Sequence, residues 1–430
     1  MPSVPLNLLD ELYLNLDREA EPWTVHYELR VATHLDPDRL VTAVVEAAAR
    51  HPLARARLAS WRFQDRSYDW QIAHELDEVP LKIVACGDEE ALALEREQLF
   101  STSPSLATAP PFAMLLARCG DGDALMLNLH HAAGDAISAA RLMLSIMRAY
   151  AGEPDPVPRL DPLAVHDVCE LAAARSVTEL AARSRALLAG AWRPLQDTAR
   201  VAREGANQRS AYGFELFTLS ADESVRVFAS RPRGATVNDV LLGALAVAIC
   251  RWNEQHGHRG QPIALSMPVN LRPAEWSFEI FSNFAAWVTV WVRPNPGEAL
   301  SSVVERVAAV TDAIKRDRLG GVAVDLLRIP GRLIIAAKRW LQYLKTLTGD
   351  VVVDTASLSN LGSIGALPPP FDAEGTAAWF SPPSQMPLGV AIGALTLGNR
   401  LHVAMRYRHA QFDRAAARRF VELFRAALLS

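Results

Sequence analysis

The chain has 430 residues, 50% of them hydrophobic and 21% charged, a globular composition that excludes disordered, fibrous and collagen-like chains. With 44 Lys+Arg against 48 Asp+Glu the formal charge is −4, so no global field draws the protein to nucleic acid or to an anionic membrane. At roughly 150 residues per domain the length fits two or three domains, or one large pseudo-repeated unit.

Residues Met1 to Asp10 lack the basic start and apolar run of a signal peptide, and no stretch approaches the ~18 apolar residues of a membrane span, so a cytoplasmic location is expected. A strand is predicted over Thr24–Thr33, with Val25, Tyr27, Leu29 and Val31 on one face and His26, Glu28 and Arg30 on the other, the pattern of a strand covered on one side. Asp36-Pro37 then opens a helix that ends near Arg50-His51-Pro52. Cys86, Cys119, Cys169 and Cys250 lie far apart with no C-x-x-C, so they read as core thiols, not as a zinc knuckle or a disulfide scaffold.

Ala124–Tyr150 is the most informative stretch: an apolar strand, His130-His131, a small-residue turn, Asp135, and a helix at once after it. On that helix Ile137, Ala140, Leu144 and Met147 form an apolar stripe beside a polar one of Ser138, Arg141, Ser145 and Arg148, which predicts packing by one face. Adjacent strand residues point to opposite faces, so His130 and His131 cannot both serve one metal or one substrate. No further His or Cys clusters nearby, and a metal centre has no ligand set to rest on. From the residues alone, two hydrogen-bonded core histidines remain an equal reading.

Prolines and acids in Ala151–Pro158 break the pattern, Pro162 to Arg203 is helical in period, and Glu204–Ser210 is a polar loop. The division expected is therefore a first half over 1–175, a connector over 176–210 and a second half over 211–430. The second half starts with a strand near Tyr212–Leu219 and a helix capped at Thr236 or Asn238, followed by strands at Ile263–Pro268 and Trp287–Val292. Leu388–Thr396 and Arg400–Arg408 flank Leu397-Gly398-Asn399 as a hairpin, and Asp413 caps a last helix. Gly331–Thr348 is predicted to be a cationic amphipathic helix, with Leu333, Ile334, Ala337, Trp340, Leu341 and Leu344 on one face and Arg332, Lys338, Arg339 and Lys345 off it. It is either a core-packing helix or a docking face for an acidic protein, a phosphate-bearing ligand or a lipid surface.

His130, His131 and Asp135, with Ala136 in the final Gly place, resemble H-H-x-x-x-D-G, the signature of the condensation-domain superfamily of acyltransferases. Residues 35–58 (LDPDRL…ARHPLARARL), 235–245 (ATVNDVLLGAL), 267–273 (MPVNLRP) and 358–362 (LSNLG) are similar to further family segments in the same order along the chain. The resemblance implies an α/β (α+β) fold of two chloramphenicol-acetyltransferase-like subdomains in a V-shaped pseudo-dimer, with a central tunnel and the histidine motif midway. It also implies that His131 is the catalytic histidine and that Asp135 pairs with an arginine from the second half, for which Arg272 is the candidate; a solvated strand-end arginine is the alternative.

A neutral imidazole suits proton removal from an acceptor hydroxyl or amine, and the amides of Gly134 and Ala136 at a helix start suit the oxyanion of acyl transfer. Asp135 is either a second base or, as the residue opening a helix, a shaper of the loop. Ser359 and Asn360 are either polar site residues or an ordinary turn. No G-x-S-x-G, Walker-type loop or G-x-G-x-x-G occurs, so direct attack without an acyl-enzyme or nucleotide cofactor is expected.

Three functions fit. The first is a stand-alone condensation-type acyltransferase, which takes its acyl group from a phosphopantetheine thioester on a carrier protein in trans and passes it to an alcohol or amine acceptor. The second is a coenzyme-A-dependent O-acyltransferase of wax-ester-synthase or polyketide-associated type, and the third is an idle carrier-binding module. Phosphopantetheine or coenzyme A would enter as part of the donor, with no tightly bound cofactor, and a monomer is expected.

Overall fold

The computed structural model describes residues 2–156, 160–191, 198–207, 209, 211–276, 279–340 and 354–430. The first half runs β1 (Ser3–Pro5), α1 (Leu8–Leu16), β2 (Thr24–Val31), α2 (Pro37–Arg50), β3 (Ala56–Leu58), β4 (Asp69–Ile72), β5 (Leu81–Ala85), α3 (Glu89–Phe100), β6 (Phe112–Cys119), β7 (Gly122–His130) and α4 (Ala136–Ala151). Helices α5 (Val168–Ala172) and α6 (Val177–Ala191) lie in the predicted helical stretch. Then come β8 (Tyr212–Thr218), α7 (Ala221–Ala229), α8 (Val237–Gln255), β9 (Ile263–Asn270), β10 (Ala285–Val292), α9 (Leu300–Arg316), α10 (Val322–Gly331), β11 (Ala356–Ser363), β12 (Ala377–Ser381), β13 (Val390–Leu397), β14 (Arg400–Arg408) and α11 (Arg414–Leu428).

Two mixed sheets carry the architecture, one of order β12-β2-β7-β6-β5 and one of order β10-β9-β11-β13-β14-β8. Several helices start where the sequence offers an oxygen to the exposed amides: Asp36 accepts from Asp38 and Arg39, and Thr236 forms a reciprocal cap with Asp239.

The two sheets do not divide at the connector. Strand β12, from the last quarter of the chain, pairs antiparallel with β2 from Ala377↔Arg30 to Ser381↔His26 and so joins the first half's sheet. At Gly393 of β13 a Cβ would collide with the carbonyl oxygen of Phe380, so a side-chain-free residue lets β12 cross against the second sheet. Ile280, Phe281 and Phe284, just before β10, sit in the apolar core of the first half with Leu129 and Met143.

The sequence patterns misjudge which faces are covered. Strand β2 is buried on both sides, because α3 supplies Arg96 to Glu28 at 2.6 and 2.8 Å and Phe100 to stack on His26 at 4.1 Å. Three of the four polar-stripe residues of α4 are buried as well: Arg141 and Ser145 converge on Asp155, Ser145 also meets His51 at 2.8 Å, and Ser138 faces the second half. Pairing offsets the burial here, as buried polar groups require. Of the four free cysteines only Cys86 is fully buried.

The cationic helix also differs from expectation. Helix α10 ends at Gly331, a new helical stretch covers 335–340, and the expected continuation to Thr348 lies outside the described residues. Ile335 and Lys338 are its buried positions, whereas Leu333, Ile334 and Trp340 are exposed. The reason is electrostatic: the Lys338 ammonium donates to Glu11 of α1 and to the carbonyl of Arg66, each at 2.6 Å, so the lysine faces inward. Arg339 lies over the Trp61 ring at 5.2 Å.

Candidate active site

The chain leaves β7 at His130, turns through His131–Gly134, and enters α4 with Asp135 as its N-cap, accepting from the Ser138 N–H at 3.0 Å. The turn is held from both halves. The His131 N–H donates to the carbonyl of Trp23 at 2.9 Å, and the Nδ2 of Asn283 donates to the His131 carbonyl.

The two histidines diverge. His130 Nδ1 accepts from the Ala132 N–H at 3.1 Å and its Nε2 lies 3.5 Å from Asp17, so its ring is engaged within the loop. His131 instead stacks on the Tyr13 ring, centroids 3.9 Å apart and planes 27° off parallel, with Trp23 at 6.3 Å. It is 7% exposed, and its buried Nδ1 meets no hydrogen-bonding group of another residue among the described residues. Burial pushes the His131 imidazole down to about 4; its own backbone and Asp135 oppose this, while His130 and Arg406 add to it. The ring is therefore neutral near pH 7.

Asp135 is consumed by structural bonds. Arg272 Nη1 donates to its Oδ2 at 2.6 Å and Nη2 to its Oδ1 at 2.9 Å, while the Phe284 N–H reaches Oδ2 at 2.9 Å. Burial alone would raise this carboxyl, but Arg272 and the Phe284 and Ser138 amides hold it below the usual aspartate value. Arg272 also donates to the carbonyl of Ser282 at 2.8 Å and to Ser138 Oγ at 3.1 Å, and lies over the Phe284 ring at 4.8 Å. Asp135 thus caps α4 and clasps the second half.

Gly134 is buried where a Cβ would stand 2.9 Å from Ser138 Cβ and 3.1 Å from Leu129 Cδ2, so a side chain has no room. Ala136 is the first residue of α4, half-buried, and its N–H has no intrahelical acceptor by position. Ser359 and Asn360 lie in β11 of the other sheet. Asn360 Oδ1 accepts from the Gly362 N–H at 2.9 Å beside a register shift, a turn contact, and among the described residues no hydrogen bond joins either residue to His131 or Asp135.

Sequence reasoning did not single out Tyr13, Trp23, Asn283 or Ser282. Ser282-Asn283 carried a faint signal, two polar residues inside the apolar run from Ile280 to Ala286. His166 sits between Ser282 Oγ, 2.6 Å from Nδ1, and Asp10 Oδ2, 2.8 Å from Nε2. This Ser-His-Asp order is sealed: Ser282 is fully buried, which leaves no access for a substrate carbonyl.

A family model described as Condensation domain matches residues 12–320. An uncharacterized protein of Mycobacterium tuberculosis (strain H37Rv), Rv2305, is 35% identical over 439 residues, covering 100% of this chain and 99% of the relative. Malformin synthetase mlfA of Aspergillus homomorphus is 29% identical over 130 residues, 29% of this chain and 2% of that protein. Among solved structures, the first condensation domain of the calcium-dependent antibiotic synthetase in complex with a substrate analogue superposes with TM-score 0.71 at 15% identity, covering 100% of this chain and 98% of that one. SgcC5 from Streptomyces globisporus superposes with TM-score 0.66 at 16% identity, covering 99% and 97%. These neighbours share the mixed α/β, chloramphenicol-acetyltransferase-like pseudo-dimer, and with a family match across most of its length the chain belongs to the condensation-domain family.

Proposed function

We propose that the protein is a condensation-type acyltransferase that moves an acyl group from a phosphopantetheine thioester, presented by a carrier protein in trans, to a hydroxyl or amine. The observation that carries this reading is the His131 imidazole: buried, neutral, and in the loop that leads into the N-terminus of α4. In the proposed step the acceptor X–H attacks the thioester carbon while His131 takes its proton. The C–X bond forms and the carbonyl π pair becomes an oxyanion, for which the Gly134 and Ala136 amides are the proposed donors. The oxyanion then collapses, the C–S bond breaks, and the imidazolium returns the proton to the leaving thiolate.

A base held this low is weak in the resting enzyme, so its proton affinity has to rise as negative charge develops beside it. Asp135 helps only indirectly, because its charge is already matched by Arg272. The SgcC5 structure is a complex with an aryl ethanediol, which makes alcohols the first acceptors to assay. The test is mass spectrometry of acyl loss from acyl-carrier, acyl-coenzyme-A and acyl-pantetheine donors with pooled alcohols and amines. Turnover from carrier-bound donors is expected; turnover from coenzyme A alone would replace the carrier, and none from any donor would leave a binding module.

A further inference from the structure

Near its end strand β14 carries two buried arginines that share one aromatic ring. Arg408 stands opposite Tyr212 in the register of β14 and β8, and Arg406 lies two residues back on the same face. Their guanidinium carbons are 4.6 and 3.7 Å from the centre of the Tyr212 ring. Tyr212 and Arg406 are fully withdrawn from solvent, and Arg408 is 5% exposed. The pair sits in the seam between the halves. Arg406 donates to the carbonyls of Thr24 at 3.0 Å and Pro22 at 3.2 Å, and to that of Pro382, just past β12, at 3.5 Å. Between Pro22 and Thr24 lies Trp23, whose carbonyl holds the His131 N–H.

Among the described residues these two cations are left with one distant carboxylate. None pairs with Arg406, and Glu21, which approaches Arg408, has its Oε1 4.0 Å from Nε. That is beyond a hydrogen bond, and the same oxygen already accepts from the Met386 N–H at 3.0 Å. Arg406 Nε and Arg408 Nε and Nη1 are buried donors that meet no acceptor among the described residues. Burial pushes the Arg406 guanidinium down to about 10, with Tyr212 opposing the fall and Arg408 adding to it, so it still carries its proton near pH 7. The Tyr212 face offsets part of the cost of the buried charge, but a ring face accepts no N–H that points along the guanidinium plane.

We infer that this seam is a binding site for one small monovalent anion of the chloride class, held between Arg408 and Arg406 beside Tyr212. One negative charge matches the excess that two guanidiniums leave over Glu21, and free N–H donors need a partner that only accepts. Burial favours an ion that sheds its water at low cost over a divalent oxyanion. Bound there, the anion stabilises the Arg406 clasp on Pro22 and Thr24 and, through Trp23, the main chain of the histidine loop.

The test uses the full chain in sodium gluconate, into which sodium chloride is exchanged at constant ionic strength so that screening of surface charge stays fixed. Chloride is expected to raise the melting temperature saturably, by about 2 °C or more, because it binds the folded chain alone. Crystals soaked in bromide should show anomalous scattering beside Arg408. Arg408→Met should lose the chloride response. Glu21→Gln, which removes the competing charge and keeps both arginines, should lower the half-saturating chloride concentration at least about threefold, and it carries the test should Arg408→Met not fold. Equal melting temperatures in the two salts, or a response that survives Arg408→Met, would overturn the site, since water would then meet the donors. A bromide peak without any response in solution would mark an adventitious ion and end the proposal as well. So would a response that Glu21→Gln fails to strengthen, because Glu21 would then not compete with the anion.

Discussion

Arg272 grips Asp135 with both terminal guanidinium nitrogens, at 2.6 and 2.9 Å, and both side chains are withdrawn from solvent. Removing either partner strands a buried charge, so Asp135→Ala and Arg272→Ala should each destabilise by about 3–5 kcal/mol, and the double variant by clearly less than their sum. Thermal unfolding of the four proteins decides this, and strictly additive losses would count against the coupling. The same pair makes stability depend on pH. A carboxyl held low in the folded state contributes stability above its unfolded value of about 3.9 that is lost as pH falls through the folded value. Arg272→Met should therefore unfold at a higher pH on acidification.

His131→Ala should lower transfer by at least about 10²-fold with an unfolding temperature near wild type, the scale of a positioned general base. His130→Ala should do the reverse, since it loses the loop contacts to Ala132 and Asp17. With His131 neutral down to about 4, kcat/KM should stay level through about pH 5.5 and fall only below it. A fall centred near about 6.5 would mean a solvated histidine.

Ala136 stands where the family motif has glycine, at an ordinary helix-start position, so Ala136→Gly should leave turnover within about threefold and cost about 0.5–1 kcal/mol. Gly134→Ala should cost about 1–3 kcal/mol, because its Cβ meets Ser138 and Leu129. Equilibrium denaturation read beside an activity assay separates the two.

Lys338 is engaged with Glu11, so among the described residues of this stretch the exposed cations are Arg328, Arg332 and Arg339, and these are the ones a carrier would meet. Salt screens surface charge beyond about 8–10 Å, so added salt should raise KM for a carrier-bound donor and spare a small pantetheine thioester. Arg328→Glu with Arg332→Glu should copy that effect at low salt. Equal responses from both donors would move the carrier to another face.

Strands, helix starts and the histidine loop were legible because they obey local rules. Asp36, Thr236 and Asp413 are side chains that cap the helices directly after them, and Leu397-Gly398-Asn399 turns the β13–β14 hairpin. The covering of an element was not legible, since it is decided by residues far away in the chain. Glu28 looks solvent-facing until Arg96 arrives, Lys338 until Glu11 does, and Ser138 until Ser282 does. Tyr13 fits the apolar side of α1 as a plain core residue, and only its packing against His131 marks it.

Strand β12 makes the two halves one object for the cell as well as for the chemist. Expressed alone, residues 1–191 would expose the unpaired hydrogen-bonding edge of β2, together with the hollow that Phe281 and Phe284 fill. Bare edges of that kind recruit other chains, so truncated forms should collect in inclusion bodies, and a synthesising ribosome must release the chain past Ser381 before the first sheet can close. Gly393→Val, which blocks the crossing of β12 while leaving every residue of the histidine loop unchanged, should reproduce that aggregation in the full-length chain.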